Sequence, residues 1–377
     1  MKQDSDLCNN LKSIRTRLGM SQQDLANLAG VTRQTISGVE SGQYAPSVTI
    51  TLRLAKALGC QVEDLFWLER DLPKVEAVLA KPIAAGQQTR VSLAYVGGEW
   101  IAYPLIGKDA FRQDMIPADG ESESQIGTDK VRVRLLDDNL DTLHNTVVIA
   151  GCAPVISLWA RATERWHPQL RVHFSFANSM SALHSLCRGE AHIAGMHLYD
   201  SETGEYNTPF VRDVLAGREA VLITLGVWEE GLLIKSGNPM EIRTVSDLVS
   251  QRATIVNREI GAGSRLLLEQ KLEQQHIPFH DVQGFDHIVT THQDVAQAVA
   301  LGIVDAGIST ASVAAAFGLG FIPLHQSRYD LVILKEYLEE APVQQLLSTL
   351  GHRMVHSQFE ILGGYDISRI GEVVATV

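Results

Sequence analysis

The stretch from residue 7 to residue 66 constrains this 377-residue chain more than any other, because helix start and stop signals cut it into short pieces at nearly every boundary. Leu7, Leu11, Ile14 and Leu18 follow helical spacing, and Gly19 ends the run. Ser21-Gln22-Gln23-Asp24 then opens a second helix with a capping box, in which the serine and the acid three residues later satisfy backbone N–H groups reciprocally. Leu25, Leu28 and Ala29 are its expected inner face, and Gly30 supplies the turn. Thr32 caps a third helix over residues 33–41, with Ile36 and Val39 inward and Gly42 at its end. A fourth follows Pro46-Ser47, with Ile50, Leu54 and Leu58 on one face and Gly59 as its stop.

Two short helices crossing at a small residue, here Ala26, with a glycine turn between them and a polar second helix, are what major-groove reading demands. Ser21-Gln22-Gln23-Asp24-Leu25-Ala26 and Val31-Thr32-Arg33-Gln34-Thr35-Ile36-Ser37-Gly38-Val39-Glu40-Ser41-Gly42 resemble the Cro/C1-type (XRE) helix-turn-helix transcription regulators, a likeness that covers about sixty residues. The resemblance implies a double-stranded DNA operator as partner, with Gln22 on phosphate and Arg33, Gln34, Thr35 and Ser37 on the DNA-facing side. Arginine suits guanine and glutamine suits adenine. Gly38 stands where relatives often carry a long polar side chain, so no base contact is expected there. One such head reads a short half-site, and a homodimer or higher homo-oligomer on a pseudo-palindrome follows.

Charge divides along the same line. Residues 1–70 hold 8 Lys and Arg against 7 Asp and Glu, while residues 71–377 hold 24 against 37, so a net charge of −12 resides in the body rather than the head. An acidic body repels DNA wherever the head does not dock. The chain is too long for one comfortable core, has no apolar run long enough to span a bilayer, and opens on Met1-Lys2-Gln3-Asp4-Ser5-Asp6 without a signal-peptide core. Cytoplasm is the expected compartment, with no membrane partner. Cys8, Cys60, Cys152 and Cys187 are widely spaced, with no CxxC pair, and read as reduced thiols.

Beyond residue 69 the pattern changes. Residues 90–96 and 99–105 flank Gly97-Gly98 as a hairpin would, residues 107–130 read as polar loop, and residues 131–136 alternate like a half-buried strand. This β-rich section, residues 70–144, either joins the flanking domains or packs on one of them.

Residues 145–377 show a strand-then-helix rhythm. Residues 146–150 form a strand, Gly151-Cys152-Ala153-Pro154 a tight turn and residues 155–166 a helix; residues 253–256 repeat the scheme before Asn257-Arg258-Glu259-Ile260-Gly261-Ala262-Gly263-Ser264-Arg265 and a helix through Leu272. There is also an internal echo, since Leu186-Cys187-Arg188-Gly189-Glu190-Ala191-His192-Ile193-Ala194-Gly195 parallels Val299-Ala300-Leu301-Gly302-Ile303-Val304-Asp305-Ala306-Gly307-Ile308. Two similar lobes would enclose a ligand. With Ala194 to Asp200, Arg328-Tyr329-Asp330-Leu331-Val332 and Gly363-Gly364-Tyr365-Asp366, this part resembles the type 2 periplasmic binding proteins, and more narrowly regulators that fuse a Cro/C1 head to a molybdate-binding-like or LysR-effector-like domain. The expected fold is therefore multidomain: an all-α helix-turn-helix domain over residues 1–69, the β-rich section, and a two-lobed α/β sensor over residues 145–377. Ala153 departs from the acidic residue common in relatives, which bears on ligand choice.

Glycine-rich backbone at a helix start exposes N–H groups that favour an anion. Asn257, Arg258, Gly263, Ser264 and Arg265 are the candidates there, joined by Cys152, Ser179, His197 and Ser309 at other strand ends and helix starts. Each arginine could instead pair with a neighbouring acid, and Ser179 or His197 could be a cap or core residue. The resemblance implies a molybdate-like oxyanion, or a small organic or sulfur anion. His184, His192 and His197 lack the i, i+4 pairing of a helical metal site, and no base is placed beside Cys152, so neither metal, cofactor nor catalysis is expected. The expected function is a ligand-responsive, non-enzymatic transcription regulator. A cytosolic molybdenum-handling protein or enzyme that regulates itself, and a ligand-independent DNA-binding protein, remain open alternatives.

Overall fold

The structure, a computed structural model, describes residues 7–68, 73–83, 88–110, 115–126 and 129–377. The expected domain boundary at residues 69–70 and the N-terminal residues 1–6 lie outside the described residues. The chain forms two compact units, Met1–Pro73 and Lys74–Val377.

In the first unit, helices Leu11–Arg17, Gln22–Ala29, Arg33–Glu40, Val48–Leu58 and Val62–Leu65 surround a core of Leu11, Leu25, Ala26, Ile36, Leu54 and Leu65, all essentially inaccessible. The caps stand at the expected places: Ser21 and Asp24 complete their capping box, Thr32 and Ser47 accept from the N–H groups of Thr35 and Ile50, and Gly30 and Gly59 take left-handed conformations. Two expectations fail locally. Leu7 belongs to a strand, Leu7–Asn9, paired antiparallel with Phe66–Leu68, because Asn9 accepts from Leu11 N–H and donates to the Val39 carbonyl, fixing the helix start at Leu11. Leu28 is 62% exposed, since the buried stripe is centred between Ala26 and Ala29 and turns Leu28 outward.

The second unit begins as a closed barrel of strands Lys74–Leu79, Glu99–Pro104, Arg90–Val96, Gly120–Ile126 and Lys130–Leu135, in that order. Gly97 and Gly98 both have positive φ, as a two-residue hairpin turn requires. Residues 107–130 are not all loop: Gly120–Ile126 is a strand whose inward residues, Gly120 and Ser122, are small or polar and therefore gave no apolar alternation. Tyr103 Oη donates to the Glu190 carbonyl and Arg171 pairs with Asp119 at 2.5 Å, so the barrel packs on the α/β region that carries residues 171 and 190.

That α/β region is organised by two 15-residue antiparallel strands, Ala220–Ile234 and Gly320–Leu334. Around one half of them lie Ile193–Met196, Thr146–Gly151 and Arg171–Phe176, which form the first lobe; around the other lie Ala306–Thr310, Ile255–Arg258 and Ile288–Val289, which form the second. Each lobe has its own helices, and the long strands pass through both. Register shifts between Thr224 and Gly226 and between Glu230 and Gly231 bend the Ala220–Ile234 strand where it changes lobe.

Candidate functional site

In a parallel sheet the strand C-termini and the helices that follow them face the crevice where ligands bind. The first lobe brings Cys152 after strand Thr146–Gly151, Ser179 at the first turn of helix Ser179–Cys187, and His197 after strand Ile193–Met196. The second brings Ser264 on helix Gly263–Gln274, His292 at the start of helix His292–Ala300, and Ser309 on strand Ala306–Thr310. From the long strands come Trp228, Glu230, Ser327 and Tyr329. All ten side chains are buried.

Glu230 is the centre of this cluster. Its carboxylate accepts from Ser264 Oγ at 2.6 Å and Ser327 Oγ at 2.5 Å, and lies 3.1 Å from His197 Nδ1. One network thus joins first lobe, connecting strand and second lobe. The other ring nitrogen, His197 Nε2, is 3.4 Å from Cys152 Sγ, while His197 N–H donates to Ser179 Oγ. Burial opposes charge on both partners, yet the Glu230 carboxylate raises the His197 imidazolium above its ordinary value and His197 holds Glu230 below the usual carboxylate range, giving a buried ion pair. Burial first, then the Arg258 charge, lowers His292 and keeps it neutral. Its Nδ1 lies 3.0 Å from Ser309 Oγ, and its buried Nε2 has no hydrogen-bond partner among the described residues.

The lobes are in contact across the cleft. Met180 N–H donates to the Gly261 carbonyl at 3.2 Å, and the Asn178 amide reaches the Ile260 carbonyl at 3.3 Å. A cavity of about 330 Å³ remains at this seam, lined by Met180, Leu198, Phe210, Ile260, Arg265 and Leu266 among others. The space beside His197, Glu230 and Ser327 is only about 10 Å³, no larger than one water occupies.

On the first unit, Arg33, Gln34 and Ser37 are exposed along helix Arg33–Glu40. Thr35 is partly buried and engaged with Thr32 at 2.8 Å. Gln22 donates to Glu40 at 2.8 Å, and Glu40 is held by Arg15 at 2.6 Å, tying the helix pair together.

A PBP superfamily domain matches residues 160–351, just over half of the chain, and a helix-turn-helix domain matches residues 11–65. The chain belongs to the PBP superfamily and to the HTH-type transcriptional regulators. The uncharacterized protein YvgK of Bacillus subtilis is 35% identical over 201 residues, a match that covers 53% of this chain and 64% of that protein, less than two thirds of its length. The uncharacterized HTH-type transcriptional regulator YgzD of the same organism is 44% identical over 63 residues, 17% of this chain and 96% of its own. Among solved structures, a phosphate-bound putative phosphate ABC transporter substrate-binding protein from Clostridium perfringens is 14% identical with a TM-score of 0.45, over 60% of this chain and 99% of that one. A likeness of that degree carries no argument about ligand.

In this PBP-superfamily regulator, Cys152, Ser179, His197, Ser264 and Ser309 come together as one cluster. Gly263 abuts it, because a Cβ there would meet the His197 carbonyl oxygen at 2.5 Å. Asn257 is buried behind it, spending its Oδ1 on Arg258 N–H. Arg258 is held by Glu259 at 3.1 Å and Arg265 by Glu269 at 2.8 Å, so neither guanidinium faces the cleft unpaired. The cap of helix Ser179–Cys187 is Asn178, whose side chain accepts from Ser181 N–H, which frees Ser179 for His197. Glu230, His292, Ser327, Trp228 and Tyr329 were not expected from sequence, and neither was the approach of His197 Nε2 to within 3.4 Å of Cys152 Sγ. His292 was within reach, because the internal echo that aligns Leu186 with Val299 also aligns Ser179 with His292.

Proposed function

We propose that this regulator binds a double-stranded DNA operator through Arg33, Gln34 and Ser37, takes a small effector in the cleft between its sensor lobes, and changes its operator affinity as the lobes open or close. The observation that carries this reading is the buried network from His197 through Glu230 to Ser264, because any ligand that enters it must engage both lobes at once. A homodimer on a pseudo-palindromic site, a cytoplasmic setting and a division into head, barrel and two-lobed sensor complete the reading; no described helix is long and apolar enough to cross a membrane.

An anionic effector is supported by the helix N-termini aimed at the cleft. It is opposed by the pairing of Arg258 and Arg265 with carboxylates and by a further carboxylate, Glu230, at the cleft floor. The test is selection of an operator from a random duplex library with the full chain, followed by titration of that operator with and without candidate effectors. Affinity for the selected operator should change with the effector that binds the sensor. An operator affinity indifferent to every ligand that binds the cleft overturns the reading.

A further inference from the structure

We propose that Cys152, His197 and His292 form a binding site for a thiophilic d¹⁰ metal cation, Zn²⁺ or Cu⁺, and that this cation is the effector of the cleft; the second half of the proposal rests on the regulator reading above. The three residues come from three distant segments, yet one ligand atom from each lies within 4.8 Å of the other two, and all three are buried. The His197 Nε2 to Cys152 Sγ separation is 3.4 Å. With metal–sulfur and metal–nitrogen bonds of about 2.3 and 2.0 Å, two donors of a tetrahedral site stand roughly 3.5 Å apart. The pair is already set at the spacing a metal imposes.

Both histidines are prepared as ligands by what holds their other nitrogen. His197 presents Nδ1 to Glu230, the carboxylate–histidine arrangement that orients a metal-ligating imidazole, and Glu230 is itself fixed by Ser264 and Ser327. His292 presents Nδ1 to Ser309 Oγ, leaving Nε2 buried and without a hydrogen-bond partner among the described residues. A buried imidazole nitrogen left unsatisfied is costly, and a metal ion is a partner that would satisfy it.

Charge is consistent with a cation once it is loaded: with the Cys152 thiol proton and one His197 proton displaced, a thiolate and the Glu230 carboxylate stand beside the ion, two negative charges that Zn²⁺ balances fully and Cu⁺ by half. On loading, the metal replaces the Cys152 thiol proton and the proton on His197 Nε2, and both leave to solvent; no electron is transferred. Soft thiolate with imidazole selects Zn²⁺ or Cu⁺ over the hard, oxygen-seeking Mg²⁺ and Ca²⁺. Because Cys152 and His197 belong to the first lobe and His292 to the second, the site is complete only when the lobes are closed. Metal affinity and lobe closure are therefore one coupled equilibrium.

The test uses the full chain, stripped with chelator and reductant and then loaded in parallel with ZnCl₂ and with Cu⁺. One metal per chain, retained through gel filtration in either arm, is expected, and the arm retained against a strong competing chelator names the ion. Co²⁺ should give a thiolate-to-cobalt charge-transfer band that Cys152→Ser abolishes. His292→Gln should lower affinity by at least tenfold, and Glu230→Gln, which changes a positioning residue, by 10–100-fold; circular dichroism confirms that each variant is folded. Failure of both arms to load, or loading unaltered by Cys152→Ser and His292→Gln, overturns the site. Loading that leaves operator affinity unchanged overturns the effector role while the site stands. Operator affinity that responds to molybdate but not to Zn²⁺ or Cu⁺ overturns the effector role and leaves the regulator reading intact.

Discussion

Replacing Gly263 by alanine tests lobe closure directly. Gly263 begins helix Gly263–Gln274 and needs no left-handed backbone, so alanine costs nothing there conformationally and is the better helix former. The added methyl group would stand 2.5 Å from the His197 carbonyl oxygen and 2.6 Å from two atoms of its ring, and that carbonyl is backbone that cannot swing aside. Overpacking of this kind costs about 1–3 kcal/mol. The three atoms nearest the new methyl all belong to His197 of the opposite lobe, so the strain falls on the closed arrangement and shifts the closed-to-open ratio by roughly 5–150-fold. Native-state hydrogen exchange reads the shift. Met180 N–H bonds to the Gly261 carbonyl across the cleft and is freed by opening, whereas Val148 N–H bonds to His192 Nδ1 inside the first lobe and is not. Gly263→Ala should accelerate exchange at Met180 by that factor and leave Val148 unchanged. Equal exchange at Met180 in wild type and variant refutes the wedge, and equal acceleration at both amides shows general destabilisation instead.

Arg33→Ala should weaken binding to the selected operator by about 1–3 kcal/mol and relax preference at one base pair; unchanged selectivity across a randomised library removes Arg33 from the base readers. His192, packed between barrel and first lobe, is lowered to about 4, chiefly by burial, so it folds neutral. Its unfolded form takes up a proton near pH 6.5, and the unfolded state binds more protons between the two values. Stability is therefore complete above about pH 6.5 and falls as pH drops, by on the order of 2 kcal/mol at pH 5. Urea unfolding at both pH values should show that loss in wild type and a smaller one in His192→Asn. Leu25 has no exposure in the first unit's core, so Leu25→Ala should destabilise that unit by about 2–5 kcal/mol and separate its calorimetric transition from that of the second unit; a single shifted transition would show that the two units unfold together.

How legible each feature is in the sequence depends on how local its signal is. Caps and glycine stops act within four residues, so the helices of the first unit stand where Ser21, Gly30, Thr32, Ser47 and Gly59 place them. Cys152, Ser179, His197, Ser264 and Ser309 were legible because each sits at the C-terminal end of a strand or at the helix start that follows one, positions that topology alone aims at the cleft. Glu230 and Ser327 were not, since they lie inside 15-residue strands whose passage through both lobes only tertiary structure reveals. Glu230 did leave a trace: Glu229-Glu230 interrupts a largely apolar run between Trp228 and Leu232, but nothing local marks which of the two carboxylates turns inward. The grouping of Cys152, His197 and His292 gave no sequence signal for a related reason: a search for ligand pairs along one helix cannot find three donors separated by 45 and 95 residues, the third of them brought in from the other lobe.

The cleft cluster is a poor device for stability, which bears on why such residues are there. A buried ion pair seldom repays the desolvation of both charges, and an apolar replacement of the same volume is often at least as stable. Each lobe already has an aliphatic core independent of Glu230: Val147, Ile149 and Leu183 in the first, Leu248, Ile255 and Leu268 in the second. The polar network instead makes closure conditional. Closed, Glu230 satisfies His197, Ser264 and Ser327 together; open, water can replace each of those partners, so the two arrangements need differ by only a few kcal/mol. A ligand with differential affinity of that size is then enough to choose between them. A cluster that adds little to stability beyond what an apolar core would supply is thereby the place where an effector would gain leverage over the sensor's shape.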